Sequence, residues 1–231
     1  MYFNNNKMAM HNESFRSISK ITKFLVILSI ATIVIALINT GAFFALNYQT
    51  RDPQLQSTDL VFLIVVALIL VIEIVALIVT LYWFYRANKN IHAFGAKEVS
   101  SSIMTVVWWF IPILDLWKPH SVAQQIWKAS NPQIILSNGI EWKNSPRSNV
   151  IILWWVLFLL SIFIGIPGEF ITPPESEQLS NNNTYTEQSM PIYVGLLNIL
   201  STIPAIVSTF FFIRIIRQIP AWQEIKSGMS I

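Results

Sequence analysis

The 231-residue sequence contains no cysteine, and charged residues make up only 12% of it. Without cysteine there is no disulfide, no thiolate metal site, no cysteine nucleophile and no covalent haem attachment. Seven glycines leave little room for a phosphate-cradling loop, and neither a zincin helix nor a nucleophile elbow is present. His11, His92 and His120 all lie outside the apolar runs, so none is placed to ligate a haem within a bundle. No catalytic set, metal site or cofactor is therefore expected, and the expected role is non-enzymatic. The formal charge of +3 is too small and too dispersed for a nucleic-acid partner. What abounds is apolar: 54% of residues, with a mean hydropathy of +0.54. A water-soluble core of ordinary size cannot hide that much apolar surface, so lipid is the expected solvent.

Four runs, 24–46, 60–85, 150–166 and 192–213, are long enough to cross a hydrocarbon core of about 30 Å at 1.5 Å per helical residue. The first is too long for a signal-peptide core and no small-x-small cleavage site follows it, so it is expected to stay as an anchor. Fourteen of the fifteen lysines and arginines fall in the N-terminal tail, in residues 86–149 or at the C-terminal end. Arg51 alone falls in the other two loops, and residues 167–191 carry Glu169, Glu175, Glu177 and Glu187 with no cation. Basic loops are retained on the cytoplasmic side, so both termini and the central segment are expected inside the cell membrane. The layout is thus a cytoplasmic tail (1–23), two spans (24–85), a central segment (86–149), two spans joined by an acidic outer loop (150–216), and a second cytoplasmic tail (217–231). That outer loop contains Asn182, Asn183 and Thr184, a glycosylation sequon that matters only in a secretory pathway.

A fifth apolar stretch, 103–117, is short and interrupted by Pro112 and Asp115. If it crossed, the cations would divide almost evenly between the two sides and the charge bias would vanish. It is expected instead at the cytoplasmic face, interfacial or re-entrant, with Trp108, Trp109 and Trp117 holding ring bodies in lipid and N–H groups near water. The other reading packs it against the inner end of the bundle. Pro119 then suits a first helical turn, and Val122, Ala123, Ile126 and Trp127 recur at helical spacing through Ser130. Two readings stay open for this stripe. It faces lipid, with Lys118 and Lys128 near acidic headgroups, or it packs on the rest of the protein.

The run from Tyr82 to Ser130 resembles a bacterial membrane family known only as domain of unknown function 4328. The resemblance rests on Trp108, Trp109, Phe110 and Pro112, on Leu116, Trp117, Lys118 and Pro119, and on Ile126, Trp127, Lys128, Ala129 and Ser130. Where that family usually has an aromatic residue this sequence has His120, so no histidine chemistry is implied. The resemblance implies a multi-pass topology and no particular activity.

Glu73 is the one ionisable residue deep inside a span. A charge there costs roughly 2.5–3.5 kcal/mol on insertion scales, so a hydrogen-bonding partner is expected, with Asn39 or Asn198 as the polar candidates from other spans. Glu73 then either fixes helix packing or forms part of a proton or cation relay in a small transporter or channel. The overall expectation is an all-α membrane protein with four transmembrane helices and a cytoplasmic Trp-rich segment between helices 2 and 3. It acts as an interaction or envelope protein whose partners are membrane lipids and a protein partner or second copy of itself.

Overall fold

The computed structural model describes residues 15–48, 56–170 and 192–228. The N-terminal residues through Ser14, the loop around Arg51, and the acidic loop beyond Phe170 with its sequon lie outside the described residues. The chain is all-helical, with no strand among the described residues. Four long helices, α1 (Ser19–Tyr48), α2 (Gln56–Ala93), α5 (Asn149–Phe170) and α6 (Ile192–Lys226), are joined in the middle by short α3 (Met104–Val107) and by α4 (Lys118–Ser130). Single 3₁₀ turns occupy Trp108–Phe110, Leu114–Leu116 and Glu141–Asn144. Three helical stretches are long and apolar enough to cross a membrane: Ser19–Gly41, Ile64–Ala93 and Leu196–Lys226. The described apolar part of α5, Asn149–Gly165, is shorter.

Length explains the architecture. The 38 residues of α2 and 35 of α6, at 1.5 Å each, reach about 57 and 52 Å, well beyond a hydrocarbon core of about 30 Å. Their extra turns build a core at one end of the bundle. There Trp83, Phe84, Ala87 and Ile91 of α2 meet Val122, Ala123, Ile126 and Ala129 of α4, Ile151, Trp154 and Trp155 of α5, and Ile215, Ile216 and Ile219 of α6. Ile18 and Leu25 of the α1 entry complete it.

The structure adds helix extents to these segments. Residues 86–93 continue α2, and residues 217–226 are the last turns of α6. The basic residues that mark a membrane edge do not end a helix when its apolar stripe continues. Ala87, Ile91, Ile219 and Gln223 are all fully buried.

Away from this core end the helices are thinly covered by protein. Only 6% of the membrane window in α2 is buried, and Leu68, Leu70, Val71, Ile74 and Ile78 are all exposed. Pro204 and Pro220 lie within α6. Pro220 is buried at the core end, where packing compensates for its missing N–H.

Candidate functional site: the tryptophan-rich segment at the core end

The segment 103–130 leaves α2 through a turn. Gly95 has φ +88, while Ser102 Oγ donates to Asn88 Oδ1 at 3.0 Å and the Ser100 amide to Gln125 Oε1 at 2.8 Å. α3 and the first 3₁₀ turn give at most seven consecutive helical residues, 104–110, before the chain breaks at Ile111–Ile113. Seven residues rise only about 10 Å, so this stretch holds no crossing helix.

Ile113 is the sharp point, with φ 73 and ψ −50. A β-branched residue in that region carries strain of order 1–3 kcal/mol. It follows Pro112, and it turns the chain back toward α4 with its own side chain 68% exposed.

On one face of the segment, Trp109 packs at 5.8 Å from both the Phe84 ring and the Trp155 ring, and Trp155 Nε1 donates to the Leu116 carbonyl at 2.7 Å. Trp154 extends this cluster, lying 5.3 Å from Trp155 and 5.5 Å from Phe212, so the segment is seated on α2, α5 and α6 together. Lys118 Nζ stands 5.0 Å over the Trp108 ring, a cation–π contact that ties the start of α4 to the first 3₁₀ turn. Away from these contacts, Ile103, Phe110, Ile113, Leu116 and Trp117 are each exposed.

The structure separates residues that the sequence pattern had grouped. The α4 stripe is core: Val122, Ala123 and Ile126 are buried, and Trp127 stacks edge-on against Trp222 at 4.6 Å. The lipid-facing reading of α4 is therefore corrected, because α4 lies across the ends of α2, α5 and α6 and its apolar stripe closes their gap. Pro119, near the start of α4, is buried, while Lys118 and Lys128 are half-buried on its polar side. Of the expected interface residues, Trp117 and Pro112 are exposed, whereas Trp108 and Trp109 are seated on the bundle.

Glu73 is not paired as expected. It is exposed on α2 with no hydrogen bond or ion pair among the described residues, and Asn39 and Asn198 are themselves exposed and not bonded to it. The Asn198 carbonyl instead accepts from Ser201 and Thr202 within its own helix. Small polar side chains meet nearby, since the Thr40 and Thr202 hydroxyls lie 3.2 Å apart between α1 and α6. A 350 Å³ groove there is lined by Ala36, Ser161, Gly165, Ser201 and Thr202, and Glu73 does not line it.

A buried polar hub holds the core end together. Gln223 of α6 accepts from Asn90 Nδ2 at 2.8 Å and donates to the Ala87 carbonyl at 3.0 Å and to Ser130 Oγ at 2.9 Å, joining α6, α2 and the end of α4. Asn90 in turn bonds the Arg16 backbone. Gln124 and Ser148 exchange two bonds of 2.9 Å each, pinning α4 to the entry of α5. Sequence reading missed this hub because Gln223 seemed to lie in a tail. The signal was there, since Phe212, Ile215, Ile216, Ile219 and Gln223 keep helical spacing past Arg217.

Beside the segment, Glu141 closes a surface loop. Hydrogen bonds from the Asn138 and Gly139 amides, with one from the Ser137 hydroxyl, hold its carboxyl down at about 2. Half-buried His120 is pushed below the usual imidazole range by burial first and by Arg147 second. Among the described residues no group of three or more His, Asp or Glu side chains is placed to hold a metal ion.

An all-helical chain with three membrane-length apolar helices and a capping Trp-rich segment belongs to the class of multi-pass membrane proteins. Within that class, the family model described as Domain of unknown function (DUF4328) matches residues 49–221, well over half the chain, and the chain belongs to that family. No curated protein and no solved structure matches it.

Proposed function

We propose that the chain is a non-enzymatic, four-span protein of the cell membrane, with both termini and the core end on the cytoplasmic side, whose Trp-rich segment engages the membrane surface. α5 is the fourth span: its 22 residues rise about 33 Å, enough for one crossing. The orientation is supported by the cations, because Arg86, Lys97, Lys118, Lys128, Lys143, Arg147 and Lys226 all belong to the core end.

One observation carries the surface role. Phe110, Ile113, Leu116 and Trp117 project from a segment whose opposite face is fixed on the bundle by Trp109 and Trp155. Several exposed apolar side chains on one short segment suit the interface, where aromatic and aliphatic side chains enter the headgroup–acyl boundary. Lipid is thus the partner this edge fits. The transport reading through Glu73 has less support, because a relay needs a second polar member and Glu73 bonds none among the described residues.

The test uses the absence of native cysteine. Single cysteines at Phe110, Ile113 and Lys143 carry spin labels in vesicles containing anionic lipid. Labels at Phe110 and Ile113 should show high oxygen and low nickel-chelate accessibility, marking shallow acyl depth, while Lys143 shows the reverse. Equal water accessibility at all three sites would remove the surface role. Cysteine at Lys97 should react from the cytoplasmic side and at Glu177 from the outside, and an exchanged pattern would overturn the orientation.

A further inference from the structure

We infer that a second copy of this chain docks on the exposed face of α2 and that the two Glu73 side chains hydrogen-bond each other across the interface. The argument begins with solvent. Glu73 lies on α2 within the span window, of which only 6% is buried, and it has no partner among the described residues. Ionisable residues inside a span face other protein or a cavity in nearly all cases, because lipid offers them no hydrogen bond. The groove between α1, α5 and α6 is lined by other residues, so among the described residues nothing partners Glu73, and a second chain is the source we consider.

A second copy meets this need with nothing else added. A carboxylic acid is at once donor and acceptor, so two of them satisfy each other reciprocally. All copies insert in the same orientation, and a two-fold axis along the membrane normal brings the same residue of both chains to the same depth. Glu73 is the one ionisable residue of α2 between Ile64 and Leu81 that such an axis can pair. Leu70, Ile74 and Leu77 flank Glu73 on the same side of the helix, and each is exposed, ready to pack against its symmetry mate. Polar pairs of this kind drive association of transmembrane helices. The inference is independent of the surface role of the Trp-rich segment, which lies at the other end of α2.

The experiment is disulfide cross-linking of the full chain in membranes, which is clean because the chain has no cysteine of its own. Leu70→Cys and Leu77→Cys should each give a covalent dimer on mild oxidation. Val71→Cys, at nearly the same depth and exposed but about 160° around the helix, should not. Adding Glu73→Leu should lower the dimer population about tenfold, the effect of losing one interhelical hydrogen-bonded pair. Glu73→Gln should preserve the dimer, since an amide is also donor and acceptor. An unchanged unfolding temperature of the core end confirms that the Leu variant remains folded. Absence of cross-linking at both Leu70 and Leu77, equal cross-linking at Val71, or a dimer that persists in Glu73→Leu would overturn the inference.

Discussion

Helix α2 lives in two solvents. Before Leu81 nearly every large side chain is exposed, and only a half-buried line through Ile69, Ile72, Ala76 and Val79 repeats at helical spacing. After it, Leu81, Trp83, Phe84, Arg86, Ala87, Asn88, Asn90 and Ile91 are all buried. Apart from Glu73, the first part is apolar all round, as lipid requires. The second includes Trp83 and Asn90, whose polar atoms the protein interior bonds and a hydrocarbon core cannot. The contrast teaches that tertiary specificity sits at the core end, where Trp83 Nε1 bonds Thr22 Oγ1 at 2.9 Å and Asn90 bonds Gln223, whereas the other half needs only apolarity.

The sharpest way to break this contrast is the same truncation on each side of it. Ile126→Ala, at a fully buried α4 position, should destabilise the protein by about 2–5 kcal/mol through lost burial and a residual cavity. Ile78→Ala, at an exposed position well around the helix from Glu73, should stay within about 0.5 kcal/mol. Reversible unfolding in mixed micelles measures both, and similar losses would mean that the α2 half is packed against protein after all.

Next in size is the polar hub. Gln223→Ala leaves the Ser130 hydroxyl, the Asn90 amide and the Ala87 carbonyl short of a partner. A cost of about 1–3 kcal/mol is expected for each group that stays buried and unsatisfied. Gln223→Glu tests geometry against charge: it retains an acceptor for Asn90 but loses the amide donors, so it should not restore wild-type stability.

Smaller is the bond that seats the Trp-rich segment. Trp155→Phe keeps most of the ring but removes the N–H that reaches the Leu116 carbonyl, an expected global loss of about 1 kcal/mol. The local effect should be clearer, with faster amide exchange across residues 110–118 while α4 keeps its protection. Uniformly unchanged exchange would show that aromatic packing alone holds the segment.

The smallest effect belongs to the surface loop at Glu141. Its folded value is about 2 against an ordinary 4.5, so the folded loop favours the carboxylate. Its stabilisation is present above about pH 4.5 and is lost as pH falls toward 2, the direction expected of a depressed carboxyl. Glu141→Gln should remove this pH dependence from the local exchange of residues 137–144 while leaving the core end intact.

Some of this was legible in residues alone. The apolar runs, the Trp-Trp-Phe-x-Pro block and the helix over 118–130 follow from periodicity and composition, and the helices form close to where the pattern puts them. The direction in which each stripe faces was not legible. An amphipathic helix with Val122 and Ile126 on one side has the same pattern whether it lies on lipid or on protein, since both are apolar. Trp109 and Trp117 are likewise equal as letters, yet one is seated against Trp155 and the other is exposed. Nor were the helix ends legible beyond Arg86 and Arg217, because a long helix can leave the bilayer and continue into a protein core.

The sequence by itself determined that this chain belongs in a membrane, because chemistry per residue decides transfer into lipid and each apolar run is a local property. It also determined that Glu73 would want a partner, from its depth alone. Only the tertiary structure decided that α4 is a capping element, that Gln223 is the hub joining three helices, and that Glu73 is exposed without a partner among the described residues. Those facts depend on which surfaces meet, and pairwise contact between distant segments is not written in the periodicity of either one.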